Sequence, residues 1–308
     1  MFKYILKRLV ALIPVIIGAS LIVFLLINMA EGDPARILLR TEATDEQVAQ
    51  LREEMGLNDP LIVQYGRYML NLLKGDMGNS YRTGNPVSYE IFSRLGKTAI
   101  LAFTSMLIGI IIALPLGIIS AIKQNSIFDT FGMVFSLFGI SMPMFWLGLI
   151  LIIAFSLNLG WFPVSGADGW KALVLPSFAL AFRSLASIAR TTRSSMLEVV
   201  RQDYIRTARA KGIGYGKVIM HHCLRNALIP AITVIGIQLG QLLGGAVLIE
   251  VVFSWPGIGR LLIDSIGYRD MPCVMGCIIL MAVIYAVVNL IVDIIYSIVD
   301  PRMKTMFD

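Results

Sequence analysis

Few residues in this chain have the types and spacing that chemistry needs. His221, His222 and Cys223 are consecutive, and imidazole and thiolate are good metal ligands. On a helix, however, successive side chains fan apart and do not converge on one ion, which leaves a structural or phosphate-facing role. Cys273 and Cys277 stand four apart on one helical face, a spacing that reads as helix packing, and with Cys223 they make no disulfide framework. A phosphate-cradling loop requires G-x-x-x-x-G-K-[ST]. Gly96-Lys97-Thr98 ends correctly, but Ile91 stands where the first glycine must be; Gly216-Lys217 has Lys211 at that place and Val218 after the lysine. The sequence thus offers no ATP hydrolysis by this route, and Ser165-Gly166 and the His221-His222-Cys223 run, which fall on opposite faces once the apolar spans are placed, do not converge.

The elements that would position such groups are apolar. Of 308 residues 57% are hydrophobic and only 15% charged, against about 25% charged in an ordinary soluble domain. Uncharged stretches run Leu9 to Ala30, Thr98 to Ile122, Thr130 to Ala167, Asn226 to Ile249 and Met271 to Val292, and a weaker one, Ala172 to Ala189, contains Arg183. A helix crosses a bilayer core with about 20 residues, so the expectation is an all-α integral membrane protein of six spans. The first is too long and too poorly flanked for a cleaved signal, so it is expected to be retained.

Short loops rich in Lys and Arg stay in the cytoplasm. Lys3, Lys7 and Arg8 precede the first span, and Arg183 to Arg225 holds nine basic residues against two acids, Glu198 and Asp203. The stretch from Glu31 to Lys97 carries ten acids and eight bases. Both termini and the basic segment are therefore expected inside and the long loop outside. The net charge of +6 sits beside the membrane, which makes orientation, not nucleic acid, its explanation. The expected divisions are 1–30 (tail and first span), 31–97 (an outer helical loop) and 98–308 (the membrane core), with a cytoplasmic loop at 191–227.

In the outer loop Thr44 and Gln47 match a capping box, followed by Val48, Leu51 and Met55 at helical spacing and Gly56 as a stop. Asp59 and Pro60 suit an N-cap and first turn before the stripe Leu61, Tyr65, Tyr68, Met69, Leu72 and Leu73. In the basic segment Ser195 and Glu198 fit a capping box, with a helix through Tyr204 and Ile205, a break at Gly212, Gly214 and Gly216, and a second helix from Lys217. The result is a protruding elbow. Arg183 is the one charge well inside a span; placing it there costs about 2.5–3.5 kcal/mol on insertion scales. Snorkelling, a pair with a carboxylate such as Asp293, or a water-filled pathway where the guanidinium holds a substrate carboxylate would each offset that.

Several motifs, in order along nearly the whole chain, give this sequence its resemblance to a known family. They include Lys7-Arg8-Leu9, Gly32-Asp33-Pro34-Ala35, Gly75-Asp76-Met77-Gly78, Asp203-Tyr204-Ile205-Arg206-Thr207-Ala208-Arg209-Ala210-Lys211-Gly212, Leu224-Arg225-Asn226-Ala227 and Phe253-Ser254-Trp255-Pro256-Gly257. In these the chain resembles the dipeptide, oligopeptide, glutathione and nickel permeases of prokaryotic ABC importers. The resemblance implies a type I importer fold in the inner membrane and a subunit forming half of the translocation pathway. Its implied partners are a second homologous permease, two ABC ATPases that use ATP and Mg2+, an external substrate-binding protein and membrane lipid. No cofactor is implied on this chain itself.

The resemblance also makes the elbow a coupling helix that docks in an ATPase cleft, through Asp203, Tyr204, Thr207, Ala208, Arg209, Ala210, Lys211 and Gly212. The wider importer class begins this loop Glu-Ala-Ala, three variable residues, Gly; counting back from Gly212, those places hold Arg206, Thr207 and Ala208. Small Thr207, Ala208 and Ala210 would allow close approach, Tyr204 adds apolar area, and Arg206, Arg209 and Lys211 complement an acidic rim. A self-powered carrier is disfavoured by the scarcity of charge in the spans, and a membrane enzyme by the lack of a convergent constellation.

Overall fold

The computed structural model describes residues 2–29, 32–39 and 44–299. The C-terminus expected in the cytoplasm, 300–308, lies outside them, as do the side chains of Lys3, Lys7 and Arg8. The elements in order are α1 (Phe2–Met29), α2 (Pro34–Leu39), α3 (Asp45–Glu54), α4 (Leu61–Leu73), α5 (Val87–Ile122), α6 (Ile127–Ser141), and α7 (Met144–Leu151), which continues as π-helical turns over Ile152–Asn158. There follow α8 (Lys171–Val200), α9 (Asp203–Ala210), α10 (Tyr215–Lys217) with π-helical Val218–Cys223, α11 (Leu224–Val252), α12 (Ile258–Gly267) and α13 (Met271–Val299). Helices dominate because in hydrocarbon a backbone must satisfy its own polar groups.

Among the described residues five helices are long and apolar enough to cross a bilayer, and six spans result when the pair Ile127–Ser141 and Met144–Asn158 counts as one. The stretch Thr130 to Ala167, expected as one span, falls on this pair and on the non-helical residues 159–167 that follow it, and the pair is bent by 107°. The cause is Pro143, whose ring pushes the preceding residue out of helical geometry; Met142 sits at φ −82°, ψ 127°.

The described residues form two compact units, one comprising Ala99–Trp255 with residues 2–4 and 286–299, the other Ile5–Thr98 with Pro256–Tyr285. In the first, α8 is the central helix, burying Leu175, Leu180, Phe182, Leu185 and Ile188. Its neighbours reach it at small residues, the usual way helices gain contact where lipid competes equally for apolar side chains. A methyl group added at Gly117 of α5 would lie 2.6 Å from the Ala189 carbonyl oxygen, and one at Gly139 of α6 would lie 2.7 Å from Ala186 Cβ. At the start of α6, Arg193 of α8 donates from Nε and Nη2 to the two oxygens of Asp129 at 2.5 and 2.8 Å, a bidentate pair. Asp129 also accepts from the Asn125 amide at 2.9 Å.

In the second unit the Thr44 capping box forms as expected: Thr44 Oγ1 accepts from the Gln47 amide at 3.3 Å, and Gln47 Oε1 from the Thr44 amide at 3.0 Å. Asp59 does not cap α4; Pro60 holds the cap position and the Asp59 carboxylate pairs with Arg67 instead. The helix of the second span begins at Val87, so residues 87–97 of the expected outer loop are its first turns. Glu90 anchors that start, accepting from Thr83 Oγ1 at 2.9 Å and Asn85 Nδ2 at 3.0 Å and pairing with Arg94. Buried Asp270 ties the loop before α5 to the start of α13: it accepts from the Ser80 hydroxyl, the Tyr81 amide at 3.0 Å and the Cys273 amide at 3.4 Å. Burial, with the Asp270 carboxylate beside it, pushes the Tyr81 phenol up to about 12.

The α5–α8 contact leaves no room at Gly117. Gly117→Val is expected to lower the melting temperature of the detergent-solubilised protein by several degrees, an overpacking cost of about 1–3 kcal/mol. Gly18→Ala in α1, where an added methyl meets nothing within 4 Å, is expected to leave it unchanged. Equal melting of the two variants, followed by size-exclusion chromatography after heating, would contradict the contact.

Candidate functional site

The expected elbow is a short helix on an apolar footing. Ser195 and Glu198 do not cap it: Ser195 is buried inside α8, which continues to Val200. The break falls at Arg201–Gln202, where the amides of Arg201 and Gln202 close onto Glu198 and Val199 at 3.3 and 3.1 Å and Gln202 turns extended. At the other end the Gly212 amide donates to the Arg209 carbonyl at 2.9 Å and the Ile213 amide to the Ala208 carbonyl at 3.4 Å. These two bonds are the Schellman termination, which needs a left-handed residue at this place; Gly212 has φ +77°. A side chain there meets no steric obstacle within 4 Å, so the requirement is one of backbone conformation alone.

Ile205 and Ala208 face inward and are buried with Met196, Val218, Ile219, Cys223 and Ala227. That spacing, i and i+3, puts them on one side of α9. Ala208, expected among the residues that meet a partner, is buried against the chain's own helices, because its position repeats the inward phase of Ile205. The remaining expected residues lie outward. The side chains of Asp203 and Arg206 are 99% and 81% exposed, and Thr207, Arg209, Ala210, Lys211 and Gly212 are exposed too. Tyr204 is exposed over its ring while its hydroxyl accepts from Asn226 Nδ2 at 2.8 Å. The Arg209 guanidinium sits 5.8 Å from the centre of the Tyr215 ring. His221 is exposed and Cys223 buried, so the run His221-His222-Cys223 spreads over different faces.

Arg183 lies two-fifths of the way along α8, one position from buried Phe182 and Ser184, yet is itself exposed. Among the described residues it has no ion-pair partner, so the pair with Asp293 does not form. It borders a cavity of about 210 Å³ together with Met144, Ser184, Gln238 and Gln241. The Ser184 hydroxyl donates to Gln238 Oε1 at 3.5 Å. The two glutamines were not singled out from the sequence, although two amides three residues apart in an otherwise apolar span were a legible signal. Together these groups present a guanidinium and two carboxamides, donors suited to a carboxylate.

Two family models match the chain: the binding-protein-dependent transport system inner membrane component over residues 113–305, and the corresponding N-terminal region over residues 1–102. The dipeptide transport system permease protein DppB of Alkalihalophilus pseudofirmus is 46% identical, over 99% of this chain and all of that protein. The glutathione transport system permease protein GsiC of Escherichia coli K12 is 42% identical over 99% of each. Among solved structures, the inward-facing MetNI methionine ABC transporter superposes with a TM-score of 0.58 at 20% identity, covering 69% of this chain and 97% of that one. An amino acid ABC transporter gives 0.53 at 19% identity, covering 70% and 94%.

Proposed function

Since the chain belongs to the inner membrane components of binding-protein-dependent transport systems, we propose that it forms one half of an import pathway for short peptides or glutathione, driven by separate ATPases that grip α9. The observation that carries this reading is the construction of α9: an apolar inner side locked to α8, the π-helical turns and α11, an outward side of exposed polar residues, and a backbone end fixed by Gly212. A helix so held moves as a rigid body with the spans it is joined to, which is what a lever between an ATPase and a pathway requires. Asp203, Tyr204, Arg206, Thr207, Arg209, Ala210 and Lys211 make the direct contact, Ala208 acts as the inner footing, and Gly212 sets the angle. ATP and Mg2+ are bound and used by the partner ATPases. A second permease completes the pathway, and an external binding protein delivers the solute.

In this arrangement both termini and α9 are cytoplasmic and the 31–97 loop is extracytoplasmic, in accord with the placement of Lys and Arg. Arg183, with Gln238 and Gln241, faces the pathway and takes the carboxylate of the passing solute in a bidentate contact. Water in the pathway removes the cost that hydrocarbon would impose on the guanidinium.

Cysteine labelling of intact cells is expected to reach a probe at Thr44 and not one at Gly214; the reverse pattern would overturn the orientation. Gly212→Val forces a branched residue into the left-handed region, at a cost of about 1–2 kcal/mol or more. It is expected to insert normally but to assemble poorly with the ATPase or to hydrolyse ATP without transport, and wild-type stimulated hydrolysis together with wild-type uptake would sink the coupling role of α9. Arg183→Gln is expected to reduce uptake of peptide with a free C-terminal carboxylate by about 10- to 150-fold, the loss of one charge-assisted contact of about 1.5–3 kcal/mol. Assembly and basal ATPase activity should remain. If the variant fails to accumulate, or transports as well as wild type, Arg183 is not a solute contact.

A further inference from the structure

Helix α4 carries an apolar face on which none of the described residues packs. Ile62, Leu70 and Leu73 are 75%, 62% and 83% exposed, and their spacing of eight and three residues puts them on one side of the helix. A second side turns to α1. The Tyr65 hydroxyl lies 2.9 Å from Ser20 Oγ and donates to the Ile17 carbonyl at 3.2 Å, and its ring centre is 5.4 Å from that of Phe24. The third side is polar: Gln64, Arg67 and Asn71 line a cavity of about 410 Å³ that Asn28 and Arg269 also border.

The contacts with α1 fix the depth. The apolar span of α1 is Val10–Met29, and Ser20 and Ile17 lie about 14 and 18 Å along the helix from Met29 at 1.5 Å per residue. One leaflet of hydrocarbon is about 15 Å thick, half of the core. The level of Met29 is marked a second time, because Arg269 donates from Nη1 to the Gly32 carbonyl at 2.9 Å, which puts the start of the α13 span, at Met271, beside the end of the α1 span. Two span ends therefore meet at one level, and Tyr65 reaches well below it.

We propose that α4 is an in-plane membrane helix. Its Ile62, Leu70 and Leu73 face rests in phospholipid hydrocarbon of the leaflet at the Met29 end of α1, which is the outer leaflet in the orientation proposed above. Its Gln64, Arg67 and Asn71 face looks toward water. Three sides of distinct character on one helix at the membrane boundary are what an interfacial helix needs: an apolar side to immerse, a polar side to hydrate, and here a third that fastens it to a spanning helix. The loop following α1 is then held by the bilayer as well as by protein, and this conclusion stands independently of which solute is carried.

The test uses the complete transporter in phosphatidylcholine vesicles. Nitroxide labels at Ile62→Cys, Leu70→Cys, Leu73→Cys and Asn71→Cys are compared by power saturation with oxygen, which concentrates in hydrocarbon, and with a water-soluble nickel chelate. Oxygen is expected to relax the first three labels several-fold more than nickel, and the order to reverse at Asn71. Nickel access at Leu70 and Leu73 equal to that at Asn71 would place the face in water, and shielding from both reagents would mean that another subunit covers it; either result overturns the proposal. As a measurement without substitutions, the unmodified transporter is irradiated in vesicles containing a diazirine-tailed phospholipid. Adducts on residues 61–73 are expected alongside those on α1, and their absence when α1 is labelled would also overturn it.

Discussion

Everything in the larger unit depends on how closely backbones can approach α8. Within a bilayer an apolar side chain gains little by leaving lipid for protein, so helices hold together through close van der Waals contact and through polar groups that lipid cannot satisfy. The chain meets both demands on one helix. Gly117 and Gly139 bring α5 and α6 onto Ala189 and Ala186 at distances that leave no space for a methyl group, and Arg193 grips Asp129 with two charge-assisted bonds where α6 begins. Because α8 is nearly all buried along its apolar length while its final turns lead directly to α9, the same packing that assembles the spans also sets where the elbow stands.

The elbow shows how local chemistry and tertiary packing divide the work. Its end is local: the Schellman bonds at Ala208 and Arg209 need only a residue that tolerates positive φ, and Gly212 supplies it. Its rigidity is tertiary, since Ile205 and Ala208 are held by side chains from α8, from the π-helical turns and from α11. Its apolar footing joins α9 to two spanning helices, one of which carries Arg183 and the other Gln238 and Gln241. The coupling role proposed above for this segment rests on that build.

The smaller unit follows a different logic. Its helices are short, and hydrogen bonds to a few carboxylates do what a large apolar core would do elsewhere. Asp270, buried at the start of α13, collects the Ser80 hydroxyl and the amides of Tyr81 and Cys273, and Glu90 does the same at the start of α5. Each carboxylate sits at the beginning of a helix, where free amides and the helix dipole favour negative charge. The polar face of α4 belongs to this same scheme, in which the parts near the membrane surface are tied by directed polar contacts.

The sequence by itself determined the class of protein, the number of spans and the order of its motifs, because these depend on local quantities: the length of uncharged runs, the position of basic residues, and turn signals such as Thr44, Gln47 and Gly212. It also located the elbow, since a glycine break within a basic helical segment is a local pattern. What it could not determine were features set by residues distant in the chain. The bend at Met142 was hidden because a proline within an apolar run is compatible with a continuous span until its neighbours are known. The inward phase of Ala208 became visible only when α9 was docked, because small residues carry no signal of which side they face. Ser195 and Glu198 had the letters of a helix start, but Ser195 was buried in α8, where the helix continued through it. The grouping of Arg183 with Gln238 and Gln241, some 55 residues apart, was decided by the packing of α11 on α8, and a pairing of that kind follows from the close approach of two backbones rather than from the letters at either place.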